Sequence, residues 1–367
     1  MLRITHCFLF FVCLSLCCTA QEVIPFDTVH WNINAQSYIL EHYQGEDAIY
    51  LHKGRAELKD IVFQDGTIEF DVFLTERQGF PGVLFRIAEE GNMESFYLRA
   101  HLPGKPDANQ AVSVFNGISG WQLYFGKAYS FAYDYHYDAW THVKVVVNGQ
   151  RAQVYLDHSE MPQLSWYLKH PARAGGIAVG GGGAAPMHYA NFKIDAQQKE
   201  IVHFNVETTP VVEGIVPKWE VSDKFEETAL ENPAMLQEII QNRKWEHTIE
   251  VEENSVANIS RATARFGSPG NTVFARLRIN SERDQVKLFE FGYSDRAVAI
   301  LNGQPIYKGT NVWRSRDYRY LGTVGLFDAI YLNLKKGENT LLFAVSEDFG
   351  GWGITGRFAD EAGILYR

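Results

Sequence analysis

The chain has 367 residues, more than one ordinary domain needs, and its 46% hydrophobic content supports two sizeable cores. A formal net charge of −10 excludes the basic surface that nucleic acid or an anionic membrane selects. All four cysteines (Cys7, Cys13, Cys17, Cys18) lie in the first 18 residues, so the rest of the chain has no disulfide, no thiolate metal site and no cysteine nucleophile.

Residues 1–20 read as a signal peptide. Arg3 supplies the positive start, and Cys7 to Cys18 is an apolar run of 12 residues, too short to span a bilayer. Cys18-Thr19-Ala20 ends in small residues, which places cleavage before Gln21 and takes the formal charge from −10 to −11 with the loss of Arg3. A lipid anchor through Cys17 or Cys18 is the alternative, although Leu16 stands where a small residue normally precedes such a cysteine. The mature chain is thus expected outside the cytoplasm: periplasmic, cell-surface or secreted. No later segment is apolar enough to cross a membrane.

From Gln21 to Glu200 the pattern is short strands and turns. TIEFDVF (Thr67 to Phe73) sets Ile68, Phe70 and Val72 against Thr67, Glu69, Asp71 and Phe73, the period of a half-buried strand. Val83 to Ile87 and Ser95 to Arg99 follow. Thr141 to Val147 and Gln150 to Leu156 flank Asn148-Gly149, which predicts a hairpin with a type I′ turn. Gly175 to Gly183 is glycine-dense around Ile177 and Val179, and Tyr189 to Ile194 closes the region. Many short strands without helices, in a chain rich in Tyr and Phe, predict antiparallel sheets stacked as a sandwich.

The pattern weakens over 201–213, read as a linker. Asn232-Pro233 predicts an N-cap with Pro at N1, opening a short helix to about Gln241. The region 214–367 is again β, with strands expected at Thr248 to Val251, Thr272 to Ile279, Gln285 to Phe291, Ala297 to Leu301, Ile330 to Leu334 and Thr340 to Val345. Asn302-Gly303 marks a second hairpin, and Lys335 to Asn339 another turn. The fold class expected is all-β: two antiparallel β-sandwich, or jelly-roll, domains in tandem over 21–200 and 214–367.

The first region resembles the concanavalin A-like lectin/glucanase jelly rolls, closest to laminin-G-like domains and 3-keto-disaccharide hydrolases. GTIEFDVFL (Gly66 to Leu74), GFPGVLFRI (Gly79 to Ile87), FYLRAH (Phe96 to His101), WTHVKVVVNGQRAQVYLD (Trp140 to Asp157) and ANFKI (Ala190 to Ile194) carry the likeness. The second region resembles the galactose-binding-like jelly rolls appended to glycoside hydrolases, on RAVAILNGQPIYKG (Arg296 to Gly309), LKKGENTLLFAV (Leu334 to Val345) and GGWGITGRF (Gly350 to Phe358). Together they imply an exported glycan-handling protein. These are motifs of architecture rather than activity.

Several residue groups bear on chemistry. Family-16-type glucanases of this fold carry three acids along one strand. Here Glu69 and Asp71 share a face, roughly 6.5–7 Å apart, but Glu76 lies five positions on and falls on the other face. Where 3-keto-disaccharide hydrolases tend to show Asn-Ser-Gly, this chain has Phe80-Pro81-Gly82 before Val83-Leu84-Phe85-Arg86, so only the glycine and Arg86 match. Sugars offer apolar C–H faces to aromatic rings and hydroxyls to planar polar groups. Tyr97, Arg99, His101, Asn116, Trp121, Gln122 and Tyr124 supply that mixture, with Gly117 and Gly120 allowing close approach of backbone.

Trp313, Arg314, Arg316, the arginine-aromatic run to Tyr320, and Trp352 form a second-domain candidate for an anionic group. Each group also has a plainer reading, as a solvated strand face, a paired arginine or a core aromatic. No metal-ligand, phosphate-loop or nucleophile-elbow spacing stands out. His136 and His142 read as surface histidines. Both fold families accommodate a structural calcium, for which no ligands can be chosen, and no cofactor is required.

The resulting expectation is carbohydrate binding through an aromatic and polar cleft, with Arg86 included among its contacts. The alternatives are a glycoside hydrolase or lyase using Glu69, Asp71 or His101, and a protein-interaction module. Asn258-Ile259-Ser260 has the pattern of a glycosylation acceptor.

Overall fold

Twelve antiparallel strands occupy residues 31–195 of the computed structural model, which describes residues 22–181, 186–208, 210, 212–264, 269–316 and 322–367. They are β1 (Trp31–Tyr43), β2 (Glu46–Leu58), β3 (Gly66–Leu74), β4 (Gly82–Ala88), β5 (Asn92–Leu98), β6 (Asn109–Phe115), β7 (Ile118–Ser119), β8 (Ala139–Asn148), β9 (Arg151–Leu156), β10 (Leu164–Tyr167), β11 (Gly176–Gly181) and β12 (Met187–Asp195). Their order is β10-β9-β8-β3-β12-β2-β11-β4-β5-β6-β7, with β1 alongside β2. This single sheet folds back on itself. Phe96 on β5 and Trp166 on β10 lie near opposite ends of the order, yet their ring centroids are 6.1 Å apart.

The turn from one layer to the other happens on β2. Its first half pairs with β12 and its second half with β11. Between the halves stand Lys53 (φ 49°) and Gly54 (φ 153°). A Cβ on Gly54 would sit 2.2 Å from the Asn34 carbonyl oxygen, so only glycine fits where the hairpin bends. Between the layers, Ile68, Phe70 and Val72 meet Val143, Val145, Val83, Phe85 and Ile177 in a dry core, as the period of two requires.

The C-terminal sandwich follows a stretch after Asp195 that has no strand among its described residues. Its strands are β13 (Lys218–Val221), β14 (His247–Glu250), β15 (Ala257–Asn258), β16 (Thr272–Ser281), β17 (Gln285–Ser294), β18 (Arg296–Leu301), β19 (Gln304–Thr310), β20 (Asp328–Leu334), β21 (Gly337–Ser346), β22 (Gly353–Phe358) and β23 (Ile364–Tyr366). A sheet ordered β14-β13-β16-β21-β18-β19, with β23 beside β16, faces one ordered β15-β22-β17-β20. Phe343 and Phe289, one from each sheet, have centroids 6.0 Å apart in the core between them. The fold class is therefore all-β and antiparallel, as the alternation predicted.

Local signals resolve in two ways. Asn232 caps the Ala234 N–H at 3.2 Å, Pro233 opens a 3₁₀ turn, and the helix α1 (Leu236–Gln241) follows. Asn302 and Gly303 both take positive φ (50° and 81°), the pattern of a type I′ turn. The Asn148-Gly149 hairpin differs from expectation. Asn148 pairs with Arg151, which leaves Gly149 and Gln150 as the loop, and of these only Gly149 has positive φ (62°). Glycine at the first loop position is the signature of a type II′ turn.

Candidate functional site

The loop around Trp121 does not lie open. Gln122 is fully buried against the C-terminal sandwich. Its N–H donates to the Gly350 carbonyl (2.8 Å), its carbonyl accepts from Val324 (3.1 Å), and its Oε1 accepts from the Ser294 hydroxyl (2.8 Å). Asn116 donates to the Ser260 carbonyl (2.8 Å), and the buried Tyr124 hydroxyl donates to Glu252 (3.0 Å) and accepts from Asn258 (3.0 Å). The glycines have a physical reason. A Cβ on Gly350 (φ 109°) would lie 2.2 Å from Gln122 Oε1, and one on Gly351 (φ 132°) 2.6 Å from Leu123. Asn116, Gln122 and Tyr124, expected to line a cleft, are instead the docking edge between the sandwiches. The apolar part of that edge is Val112, Phe115, Leu123, Tyr129, Val256 and Val324.

Arg86 is a second correction. It takes φ 51° at a bulge on β4, and its side chain is wholly buried. Nε donates to the Gln64 carbonyl (2.8 Å), and Nη2 to the Gly149 carbonyl (2.7 Å) and Asp65 (3.0 Å). It pins two turns together and reaches no solvent.

The remaining N-terminal candidates stay together on the outer side of β5. The Arg99 guanidinium contacts the Tyr97 hydroxyl, Gln110 and the Asp107 carbonyl, which leaves it buried and occupied. Phe80 stands edge-on to Tyr97 and His101, with centroids at 6.0 and 5.4 Å. Burial, then the Arg99 charge, lowers the His101 pKa. Trp121, half-buried, leans on the exposed Phe349 at 5.8 Å. The group is aromatic, and Tyr97 and Arg99 are already bonded to each other and to Gln110, whereas the buried His101 Nδ1 has no hydrogen-bond partner among the described residues.

In the C-terminal sandwich, Trp352 is buried and donates its indole N–H to the Val345 carbonyl (3.0 Å), so it lies in the core and not at a rim. Arg316 is paired with Asp328 and donates to the Tyr293 hydroxyl (3.2 Å). Arg314 lies over the exposed Trp313 ring at 4.1 Å. Asp317 to Tyr320 lie outside the described residues.

A different surface gathers more chemistry: the outer face of β8, β3, β12 and β2. Register aligns Trp140, Phe73, His188 and Tyr50 in one row across the four strands. Tyr43, at the end of β1, folds over that row. It stacks on His188 (3.7 Å, 4°) and stands edge-on to Phe73 (5.1 Å) and Trp140 (6.4 Å). The next row along is polar. His142 Nδ1 lies 2.7 Å from Asp71 Oδ1, and its Nε2 lies 3.5 Å from Glu69 Oε2. A bulge in β12 and a positive φ at Asn191 (53°) aim the Asn191 amide at the other Asp71 oxygen, 2.7 Å away. The exposed His158 ring stacks on His142 at 3.9 Å.

Burial alone would lower the His142 pKa. Hydrogen bonds and charge from Asp71 and Glu69 outweigh it and lift the value to about 9. The same contact, led by the hydrogen bond to His142, holds Glu69 below the usual carboxylate range. Glu69 and Asp71 thus grip one imidazolium rather than flanking an open space. Trp140, Tyr43, His158, His188 and Asn191 were not singled out in the sequence. The one available signal was the even-numbered face of THVKVVV, with His142 and Lys144, and its preceding Trp140. Among the described residues, no cluster of three or more acid, histidine or cysteine side chains is arranged to hold a metal ion, and no helix is long and apolar enough to cross a membrane.

No protein-family model and no curated protein matches the chain. Among solved structures it is similar to the carbohydrate binding module CBM66 from Bacillus subtilis, at 15% identity over 44% of this chain and 93% of that one, with a TM-score of 0.35. It is also similar to the β-glucanase of Bacillus licheniformis, at 10% identity over 47% and 95%, TM-score 0.34. A prokaryotic β-1,3-1,4-glucanase from a mouse hindgut metagenome shows 11% identity over 47% and 95%, TM-score 0.33. Likenesses at this level say nothing about what this chain binds.

Proposed function

We propose that this chain is an exported carbohydrate-binding protein and that a glycan lies across the outer face of β8, β3, β12 and β2. The observation that carries the reading is the aromatic row Trp140–Phe73–His188–Tyr50, covered by Tyr43, directly beside the polar set His142, Asp71, Asn191 and Glu69. Rings take the C–H face of a sugar, and the carboxylate, amide and imidazole take its hydroxyls. Binding fits better than hydrolysis. A glycosidase needs one carboxylic acid kept protonated by a raised pKa, and Glu69 is shifted the other way. The C-terminal sandwich, galactose-binding-like by its sequence motifs, accompanies this module in the same exported chain.

The test is a glycan array on the mature chain (from Gln21), followed by titration of any hit with Trp140→Ala and Trp121→Ala, with and without a chelator. Trp140→Ala is expected to weaken binding about tenfold or more, the scale of one lost aromatic contact, with Trp121→Ala near wild type. The reverse ranking would move the site to the Phe80–Tyr97–His101–Trp121 group. No bound glycan at all would sink the reading. Loss of binding in the chelator lane would bring in the structural calcium that the fold resemblance allows.

A further inference from the structure

Arg86 and Arg173 share an unusual environment. The Arg86 side chain has no solvent exposure, and its Nη1 has no hydrogen-bond partner among the described residues. Arg173 lies in the connection between β10 and β11. Two residues later, Gly175 packs so tightly on β4 that a Cβ there would fall 2.5 Å from the Arg86 carbonyl carbon. Nε and Nη2 of Arg173 are likewise sealed from solvent without a partner, and among the described residues Arg173 has no acid in ion-pair range. Burial lowers the Arg86 pKa, the charges of Asp65 and Glu94 oppose it, and the Arg173 charge adds a smaller lowering, so the two guanidinium groups feel one another.

Two acids, Asp65 and Glu94, lie near this pair of cations, but burial raises the Glu94 pKa to about 7, so at neutral pH it carries only part of a charge and the arginines are not fully neutralised. Asp65 is engaged by Arg86 and by the Gly149 N–H (2.9 Å). Glu94, buried nearby, accepts from the Ser113 hydroxyl and from the N–H groups of Lys169 (3.0 Å) and His170 (2.8 Å). His170 donates its Nε2–H to the Val114 carbonyl (2.9 Å) and packs on Phe115, and burial pushes its pKa down to about 4, so at neutral pH it adds no charge. Three buried N–H donors on two cations therefore face no acceptor, and buried donors are almost always satisfied by something.

We propose that Arg86 and Arg173 hold a small monovalent anion, of the halide or nitrate class, buried between the end of β4 and the β10–β11 connection. An anion accepts from all three donors and offsets the Arg173 charge. A water molecule brings no charge and must find acceptors for its own two protons. The site is separate from the proposed glycan face. Its role is to tie together the turn at Gln64-Asp65, the β8–β9 hairpin turn at Gly149, and the 168–175 connection, which come from both layers of the sandwich.

The test is thermal unfolding of the full mature chain in a bromide titration at fixed ionic strength, with gluconate as the balancing anion, beside Arg173→Met. Wild type is expected to gain roughly 2–4 °C in a saturable curve, as mass action on a native-state ligand dictates, while Arg173→Met stays flat. Independently of whether that variant folds, a wild-type crystal soaked in bromide is expected to show an anomalous peak in contact with both guanidinium groups. Equal bromide responses in the two proteins, or a site that holds only water, or bromide found only on the exterior as an adventitious ion, would each overturn the proposal.

Discussion

His142 shows how one residue changes meaning when its neighbours arrive. In sequence it is a histidine among tyrosines and aspartates. Folded, it sits between two carboxylates on the adjacent strand and is held charged. The sign of the consequence is definite. A histidine whose folded pKa is raised contributes stability that is complete below about pH 6.5 and lost as pH climbs through about 9. The difference in unfolding free energy between wild type and His142→Gln, measured from pH 6 to pH 10, is therefore expected to shrink across that window. A difference that stays constant would mean the imidazole is not held charged by Asp71 and Glu69. Asn258 makes the same point in reverse. Its glycosylation pattern is complete in sequence, yet in the fold its amide donates to the Tyr124 hydroxyl and the residue is buried under the docked loop, which leaves no room for a glycan.

At the scale of elements, local chemistry was readable where it was self-contained. Asn302-Gly303 needs two positive φ angles and two residues that tolerate them, and the Asn232-Pro233 cap needs only its own first turn. The Asn148-Gly149 turn shifted by one position because the ladder of β8 and β9 fixes which residues pair, and the turn follows that register. The long β1–β2 hairpin was not legible. Its turn, Gln44-Gly45, lacks the usual asparagine, and β1 is exposed along most of its length, so no alternation marks it. Gly54 and Gly45 make a matched test. Gly54→Ala, with backbone 2.2 Å from the new Cβ, is expected to cost about 3 kcal/mol or more in urea unfolding. Gly45→Ala, at φ 88° with open space around it, is expected to cost about 1 kcal/mol. Equal costs would show that β2 does not bend tightly against β1.

For the whole molecule, the decisive feature is that the two sandwiches share a buried edge. Ile118 from the N-terminal sandwich belongs to the C-terminal core, and Val256 and Val324 from the C-terminal side pack with Val112, Phe115 and Leu123. Lys169 reaches across to Glu253 and lies over the Tyr124 and Tyr129 rings. The full chain is therefore expected to unfold in one calorimetric transition, and Gly350→Ala, which drives a methyl group into Gln122, to lower it or split it in two. Two well-separated transitions in wild type would show that the edge does not couple them. The sequence by itself determined the all-β class, the inward faces of its strands, one hairpin turn and one helix cap. Each of these is a matter of period or of a few adjacent residues. Only the tertiary structure decided which outward-facing residues are covered and which meet. Asp71 and His142 are brought together by sheet register, and Asn116 and Ser260 by docking. A period of two separates inside from outside, but it carries no information about what lies against the outside.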